Sequence, residues 1–416
     1  MGQLIERAVR SKVNFAEKVK ELREKTATDY DQIIADNQFA LDDLSASLKE
    51  RLGKWAHPEV ELAVRWEKDP KSIRVEEPFA KLSAGECGFI GELGRLGHGL
   101  QRSYILALLE ELASSETDDA PLLLLGLEEP ELFQHPPQAQ HLAEVLQKLS
   151  MANAQVTVCT HSPYFVVGKG FEDIRLIRKP RGSCEAKASC TTYAALSSHL
   201  VSVLGEQYLA KPQGVRAKLH QILQPSLREM FFAPWLILVE GLEDVAYITS
   251  ALVLLELWET WRKSGGHIIP VQGKSELIQP LALAQVLNIP AFVIYDADGN
   301  NQGLKSENLH VKDNERLLRL LGHSGNIGVF PSTIWWNANS VIWPENLGVS
   351  VQSDFDPDDW RRWKSEAEAE LGQPGGLEKN ALCIGIILAK AWEAGKPSET
   401  LRLLCGKILE FSLTRN

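Results

Sequence analysis

Two stretches decide the fold: Trp235-Leu-Ile-Leu-Val239, which runs into Glu240-Gly241 and on to Asp244, and Ile289-Pro-Ala-Phe-Val-Ile-Tyr295, which runs into Asp296-Ala297-Asp298-Gly299. Each is a short, uninterrupted apolar run, the mark of a strand buried on both faces of a parallel sheet. Each ends in carboxylates. Open α/β sheets bind their ligands beyond the carboxyl ends of their strands, so these acids are expected at a functional edge. Asp296 and Asp298, two apart in an extended chain, are expected to project to one side. Glu240 and Asp244, four apart, are expected to share a helix face. Four carboxylates gathered in one place are costly unless cations neutralise them, and Mg2+ or Mn2+, two ions for two acid pairs, is the natural occupant of an all-oxygen site.

Upstream the composition changes near residue 230: nine of the eleven tryptophans lie beyond it, and Pro234 opens the first of the two strands. A domain is therefore expected over 231–416. Ahead of it, Pro121 precedes the run Leu122–Leu127, which ends at Glu128-Glu129-Pro130-Glu131. A buried parallel strand ending in acids is what a Walker B element requires, one acid holding the Mg2+ of a nucleotide and the next polarising water. Further upstream, Gly97-His-Gly99-Leu-Gln101-Arg102 leads into an apolar segment, Tyr104–Leu112. Small residues at a helix start let backbone N–H groups approach a phosphate, as an ABC signature segment does across a dimer interface. Leu82-Ser-Ala-Gly-Glu86 has a similar look, but no comparable helix follows it. A second buried strand, Gln155-Val-Thr-Val-Cys-Thr160, ends at His161-Ser162-Pro163 and sets a histidine where it could contact a γ-phosphate.

One part is missing. A P-loop needs Gly-x-x-x-x-Gly-Lys-Ser/Thr, and Gly273-Lys274-Ser275 has Ile268 where the first glycine belongs. Without that cradle and its lysine these residues are not expected to hydrolyse ATP by themselves. ATP enters the expectation only if another polypeptide or an upstream segment supplies the P-loop lobe.

Residues 1–58 are rich in Lys and Glu, with apolar positions at helical spacing (Ile5, Val9, Val13, Ala16, Val19, Leu22; Leu41, Leu44, Leu48, Leu52), so two amphipathic helices are expected, packed in a bundle or forming a dimerisation arm. Period-two alternation predicts one hairpin over Val60–Trp66 and Ser72–Glu76 and another over Ile174–Ile177 and Cys190–Tyr193.

The formal charge of −11 excludes a passive DNA-coating protein but not a nuclease, whose carboxylate site adds negative charge by design. Two local basic clusters, Arg175/Arg178/Lys179/Arg181 and Arg361/Arg362/Lys364, are read as solvated surface rather than DNA contacts. The six cysteines form no CxxC pair and are expected to be reduced and mostly buried, which fits the cytoplasm. No apolar run is long enough for a membrane span, and the first residues lack a signal-peptide core.

The Glu-Glu-Pro-Glu and Thr-His-Ser-Pro elements, followed by Glu240-Gly241 and Asp296-Ala-Asp298-Gly299, resemble those of the OLD (overcoming lysogenization defect) family nucleases over most of residues 60–400. The resemblance implies an α/β chain with three parts: a helical arm over 1–58, the C-terminal lobe of an ABC-type ATPase over 59–230, and a Toprim (Rossmann-like α/β) nuclease domain over 231–416. It implies that Val271–Ser275 is the glycine turn between the acid motifs. Glu345, in Ile342-Trp-Pro-Glu-Asn-Leu347, would complete the metal site, or it caps a helix. Lys379, in Gly376-Leu-Glu-Lys-Asn380, would be a catalytic lysine, or a solvated one. Further implications are DNA as substrate, homodimerisation through the ATPase half and a part in defence against phage. The resulting expectation is DNA phosphodiester hydrolysis, with Glu240, Asp296, Asp298 and Lys379 catalytic and Glu240, Asp244, Asp296, Asp298 and Glu345 binding metal. Its rivals are weaker: no tyrosine follows residue 300 to serve a topoisomerase, and no nucleotide-binding partner domain for a primase is apparent. A non-catalytic ABC-type dimerisation or regulatory subunit with a vestigial Toprim site is the alternative of another class.

Overall fold

The structure, a computed structural model, describes residues 15–53, 65–66, 83–86, 89–92, 101, 105, 123–132, 134–152, 154–166, 170–179, 184–205, 211–304, 306–323, 325, 327–373 and 375–415. The chain divides into two compact units, 1–160 and 161–416.

In the first unit, α1 (Phe15–Asp36) and α2 (Gln38–Gly53) are the two expected arm helices, abutting at Asn37. β1 (Ser83–Glu86) and β2 (Phe89–Glu92) pair antiparallel, which makes Ser83–Glu86 of the signature-like segment a strand. The expected hairpin over 60–76 lies outside the described residues, apart from 65–66. β3 (Leu123–Glu128) and β4 (Ala154–Cys159) pair in parallel from Leu123 opposite Ala154 to Glu128 opposite Cys159. Between them, α3 (Pro136–Met151) starts where Pro136 and Pro137 fix the first turn, and buries Ala139, Leu142, Ala143, Leu146 and Leu149, a single helical face. β3 is parallel as expected, but it is not buried on both faces: exposure alternates along it, and Leu124 is 69% exposed.

The second unit opens with the antiparallel pair β5 (Leu176–Arg178) and β6 (Lys187–Ser189). The expected hairpin is present with its second strand shifted upstream, because Thr192 caps the next helix, α4 (Tyr193–Leu204), through its side chain. α5 (Pro212–Ile222) follows. The central sheet contains β7 (Trp235–Val239), β8 (Gly266–Pro270), β9 (Ala291–Asp296), β10 (Trp335–Trp336) and β11 (Ser340–Trp343) in the order β10-β11-β9-β7-β8, parallel except for the β10–β11 pair. The connecting helices are α6 (Leu242–Leu254), α7 (Trp258–Ser264), α8 (Ile278–Val286) and α9 (Glu307–Leu320). After β11 come α10 (Leu347–Gln352), α11 (Pro357–Glu370), α12 (Ala381–Glu393) and α13 (Glu399–Arg415).

The strands are mostly apolar because helices cover both faces. Leu236, Leu238, Val293, Tyr295 and Ile342 face a core with Leu196 and Leu200 of α4, Leu219 of α5, Leu281 of α8 and Leu317 of α9. Trp235, Ile237, Val239, Phe292, Ile294 and Trp343 face another with Tyr247 and Ile248 of α6, Trp363 of α11, Ile384 of α12 and Leu404 of α13. Period-two alternation thus divides every strand between two cores. The first core also explains why this compact unit begins at His161, upstream of 231: α4 and α5 form part of one covering layer of the sheet. The shift in tryptophan content marks the sheet itself.

Among the described residues no helix is long and apolar enough to cross a membrane. The described cysteines are all free thiols, but Cys159, Cys184 and Cys190 are exposed; Cys383 and Cys405 alone match the buried setting expected of them.

Candidate metal centre

After β7 the chain places β8 on one side and β9 on the other, so the order reverses at the β7–β9 boundary. That reversal opens a crevice at the carboxyl edge. Glu240 follows β7 and Asp296 ends β9, so both acids sit at the crevice. The backbone N–H of Asp296 donates to Glu240 Oε1 at 2.8 Å, tying the two strand ends together.

Asp244 joins them by a different route from the one expected. Helix α6 starts at Leu242, so Glu240 is not on it and the two acids share no helix face. Instead Asp244 occupies the third helical position, and its Oδ2 accepts the N–H of Gly241 at 2.9 Å, half of a capping box. The expected alternation of Asp296 and Asp298 also fails: β9 ends at Asp296, and Asp298 adopts a left-handed backbone (φ 56°). Gly299 then passes so close to Pro344 that an added Cβ would lie 2.9 Å from its carbonyl oxygen, which explains the glycine after the acids.

Burial is the main influence on the acids. It pushes Glu240 up to about 7 against the opposing Asp296 hydrogen bond and Lys274 charge, with Asp244 and Asp298 adding to the rise. It pushes Asp244, 8% exposed, up to about 6, with Glu243 adding to the rise and Lys379 opposing it. Asp296 is raised by burial and then by Glu240, Asp244 and Asp298. The ionised forms of these acids are therefore disfavoured unless positive charge is added.

Three neighbours escaped the sequence reading. Lys274, discounted as part of a false P-loop, lies in the turn after β8; its Nζ reaches across the end of β7 to the Asp296 carbonyl oxygen at 2.8 Å and Asp298 Oδ2 at 2.5 Å. His310, in the first turns of α9, sets Nδ1 3.0 Å from the same Asp298 oxygen. Glu243 holds the expected Lys379 at 3.5 Å, with the lysine side chain 84% exposed at the rim. A basic residue following the glycine turn of a third strand is the signal that could have exposed Lys274; nothing in the sequence singles out His310.

Glu345 is exposed and does not cap a helix: Asn346 caps α10, and the Leu347 N–H donates to Asp296 Oδ1 at 3.3 Å. Among the described residues no three His, Cys, Asp or Glu side chains form a ready-made cation cage. The donor chemistry nonetheless suits a hard cation, since the acids supply only oxygen and their ionised forms are disfavoured without added positive charge.

Two arginines of the first basic cluster and all three residues of the second are engaged internally. Arg178 donates to the carbonyl oxygens of Ala233 and Pro234, and Arg175 to those of Glu172 and Ile174. Arg361, Arg362 and Lys364 pair with Asp358, Asp359 and Glu378.

In the first unit, Glu128 ends β3 exposed, and Glu129, at φ 43°, donates its N–H to the Cys159 carbonyl at 2.8 Å. Thr160 Oγ1 donates to Glu131 Oε1 at 2.7 Å, so the two acid- and histidine-bearing motifs meet through these residues. His161, the first residue of the second unit, is exposed; in the first, Gln101 is helical, while Gly97 and Gly99 lie outside the described residues.

Residues 1–166 match the AAA ATPase domain model, and residues 231–298 the TOPRIM domain model of overcoming-lysogenization-defect-like proteins. The chain is 25% identical over 253 residues to the Old nuclease of Escherichia phage P2, covering 57% of this chain and 39% of the relative. It is 25% identical over 207 residues to the OLD nuclease of Thermus scotoductus, covering 49% and 35% respectively. It thus spans well under half the length of either relative. The C-terminal region of the Xanthomonas campestris pv. campestris OLD protein aligns at 15% identity and a TM-score of 0.30, covering 44% of this chain and 96% of that one. These likenesses support an OLD family protein, with an AAA ATPase-type region followed by a TOPRIM domain.

Proposed function

We propose that the second unit is a divalent-cation-dependent DNA endonuclease coupled to an ABC-type ATPase module. The observation that carries this reading is the acid cluster at the sheet's switch point: Glu240 and Asp296 are joined by one hydrogen bond, Asp244 is tucked against Gly241, and burial raises all three, with neighbouring acids adding to the rise. The nuclease names of the relatives lend it further support.

Glu240 and Asp244, with Glu345 from the facing loop and Asp296 beside Glu240, would hold one Mg2+ or Mn2+ ion, and Asp298 together with Asp296 another. Bound there, the ions supply Lewis acidity for activating water and stabilising a leaving oxygen. The chain's own groups do the rest. Lys379, solvent-facing beside Glu243, would meet the negative charge that builds on a phosphate under attack. The Glu240–Asp296 bond and the Asp244 cap fix the carboxylates before substrate arrives, so little reorganisation is left for the reaction. Nucleotide chemistry belongs to Glu128, Glu129, His161 and the Gly97–Gln101 segment, and takes ATP only with a P-loop lobe from another segment or polypeptide. Homodimerisation through the ATPase region, a cytoplasmic location and a part in defence against phage complete the proposal.

The test is incubation of the purified chain with supercoiled plasmid and Mg2+ or Mn2+, without ATP, beside an Asp296→Ala/Asp298→Ala double variant. Nicked or linear DNA from the wild type alone is expected. If neither protein cuts, even with an ATPase lobe added, the non-catalytic regulatory reading replaces this one.

A further inference from the structure

Lys274 is the buried cation of this centre. Its side chain is 5% exposed, and its ammonium bonds Asp298 Oδ2 and the Asp296 carbonyl. Burying an ammonium is costly unless it is paired and hydrogen-bonded, and here both conditions are met. The residues on either side are anchored: the Gly273 N–H donates to the Glu240 carbonyl at 2.9 Å, and the Ser275 hydroxyl donates to Asp313 on α9. Gly273 supports this with φ +125°, a conformation that side-chain-bearing residues rarely adopt.

The four acids are therefore not equivalent. Asp298 Oδ2 already faces two nitrogen groups, Lys274 Nζ at 2.5 Å and His310 Nδ1 at 3.0 Å. Glu240 and Asp244 are held instead by backbone N–H groups, with the Lys274 charge acting on Glu240 only through space. A divalent cation arriving at Glu240, Asp244 and Asp296 keeps Lys274 in place. One arriving at Asp298 meets the lysine's positive charge at contact distance and must displace it.

We infer that Lys274 is a resident counter-cation reserved for Asp298, so that the centre loads divalent ions in sequence, the first at Glu240/Asp244/Asp296 and the second only as the Lys274 ammonium leaves Asp298. The inference rests on the cation-dependent reading of the site and adds an order of filling. Its sign is distinctive: deleting a buried positive charge improves cation binding, whereas loss of a merely structural lysine weakens it or leaves it unchanged.

The experiment is calorimetric titration of the full chain with Mn2+ alone, for wild type, Lys274→Met and Asp298→Asn. The wild type is expected to show one tight and one weaker site, separated by about tenfold or more, the scale on which a unit charge at contact acts. Lys274→Met should tighten the second site until the gap closes. Asp298→Asn should lose the weaker site and keep the tight one, which decides the matter even where Lys274→Met does not fold. Two equal wild-type sites, or a Lys274→Met protein that binds more weakly, would overturn the sequential order while leaving the ion reading intact. No Mn2+ heat from a folded wild type would overturn both.

Discussion

Two regions of this molecule carry the same local pattern, an apolar parallel strand running into acids, and the structure treats them differently. β7 and β9 lie buried on both faces, and their acids meet at a switch point under a helix N-terminus and a buried lysine. β3 has one paired neighbour among the described strands, exposes Leu124 to 69%, and ends in an exposed Glu128. An acid at a strand end is thus only a candidate. Desolvation and a second acid strand beside it make a charged site that calls for a cation.

The contrast breaks most visibly in chemistry. Asp296→Asn should remove several kcal/mol of charge stabilisation, a loss of roughly a hundredfold or more in ATP-independent plasmid cleavage, while Glu128→Gln should leave that rate within about twofold. Equal losses in the nicking assay would erase the distinction between the two regions. Stability comes next. Leu238→Ala on β7 empties a fully buried position and should cost about 2–5 kcal/mol in urea unfolding followed by tryptophan fluorescence, whereas Leu124→Ala on β3 should cost no more than about 0.5 kcal/mol.

A glycine pair sharpens the same comparison at smaller scale. At Gly299 a Cβ would lie 2.9 Å from a backbone carbonyl, and at Gly126 of β3 nothing comes within 4 Å. Gly299→Ala should therefore cost about 1–3 kcal/mol, with Gly126→Ala close to neutral, in the same unfolding experiment.

The smallest effect is in pH. Burial raises Glu240 from 4.5 to about 7 in the folded protein, so between those values the folded chain holds a proton that the unfolded chain has released. Its contribution to metal-free stability is full below pH 4.5 and is lost as pH rises toward 7. Comparing melting temperatures across this window, Glu240→Gln should flatten the decline relative to wild type, and Mg2+ should stabilise the wild type more at pH 7 than at pH 5. Parallel curves for the two proteins would count against a strained acid at this position.

Much of this arrangement was legible in the chain. The β7 limits, Trp235 and Val239, follow directly from the apolar run, because a strand covered on both faces needs no polar alternation. Asp296 was legible as the acid ending β9. The pairing geometry was not: Asp244 arrives by capping a helix, and Asp298 by a left-handed turn, neither of which spacing reveals. Lys274 was hidden more deeply. Its partners lie beyond β7, and only the order β8-β7-β9 brings a residue leaving β8 across to an acid leaving β9. β3 misled in the opposite direction, since an apolar run does not say whether both of its faces are covered.

The most direct measurement is anomalous diffraction from crystals of the full chain soaked in Mn2+. The account predicts a peak among Glu240, Asp244 and Asp296, at the carboxyl edge between β7 and β9. A peak at Glu128 and Glu129 with none at that edge, or no peak at either, would contradict it.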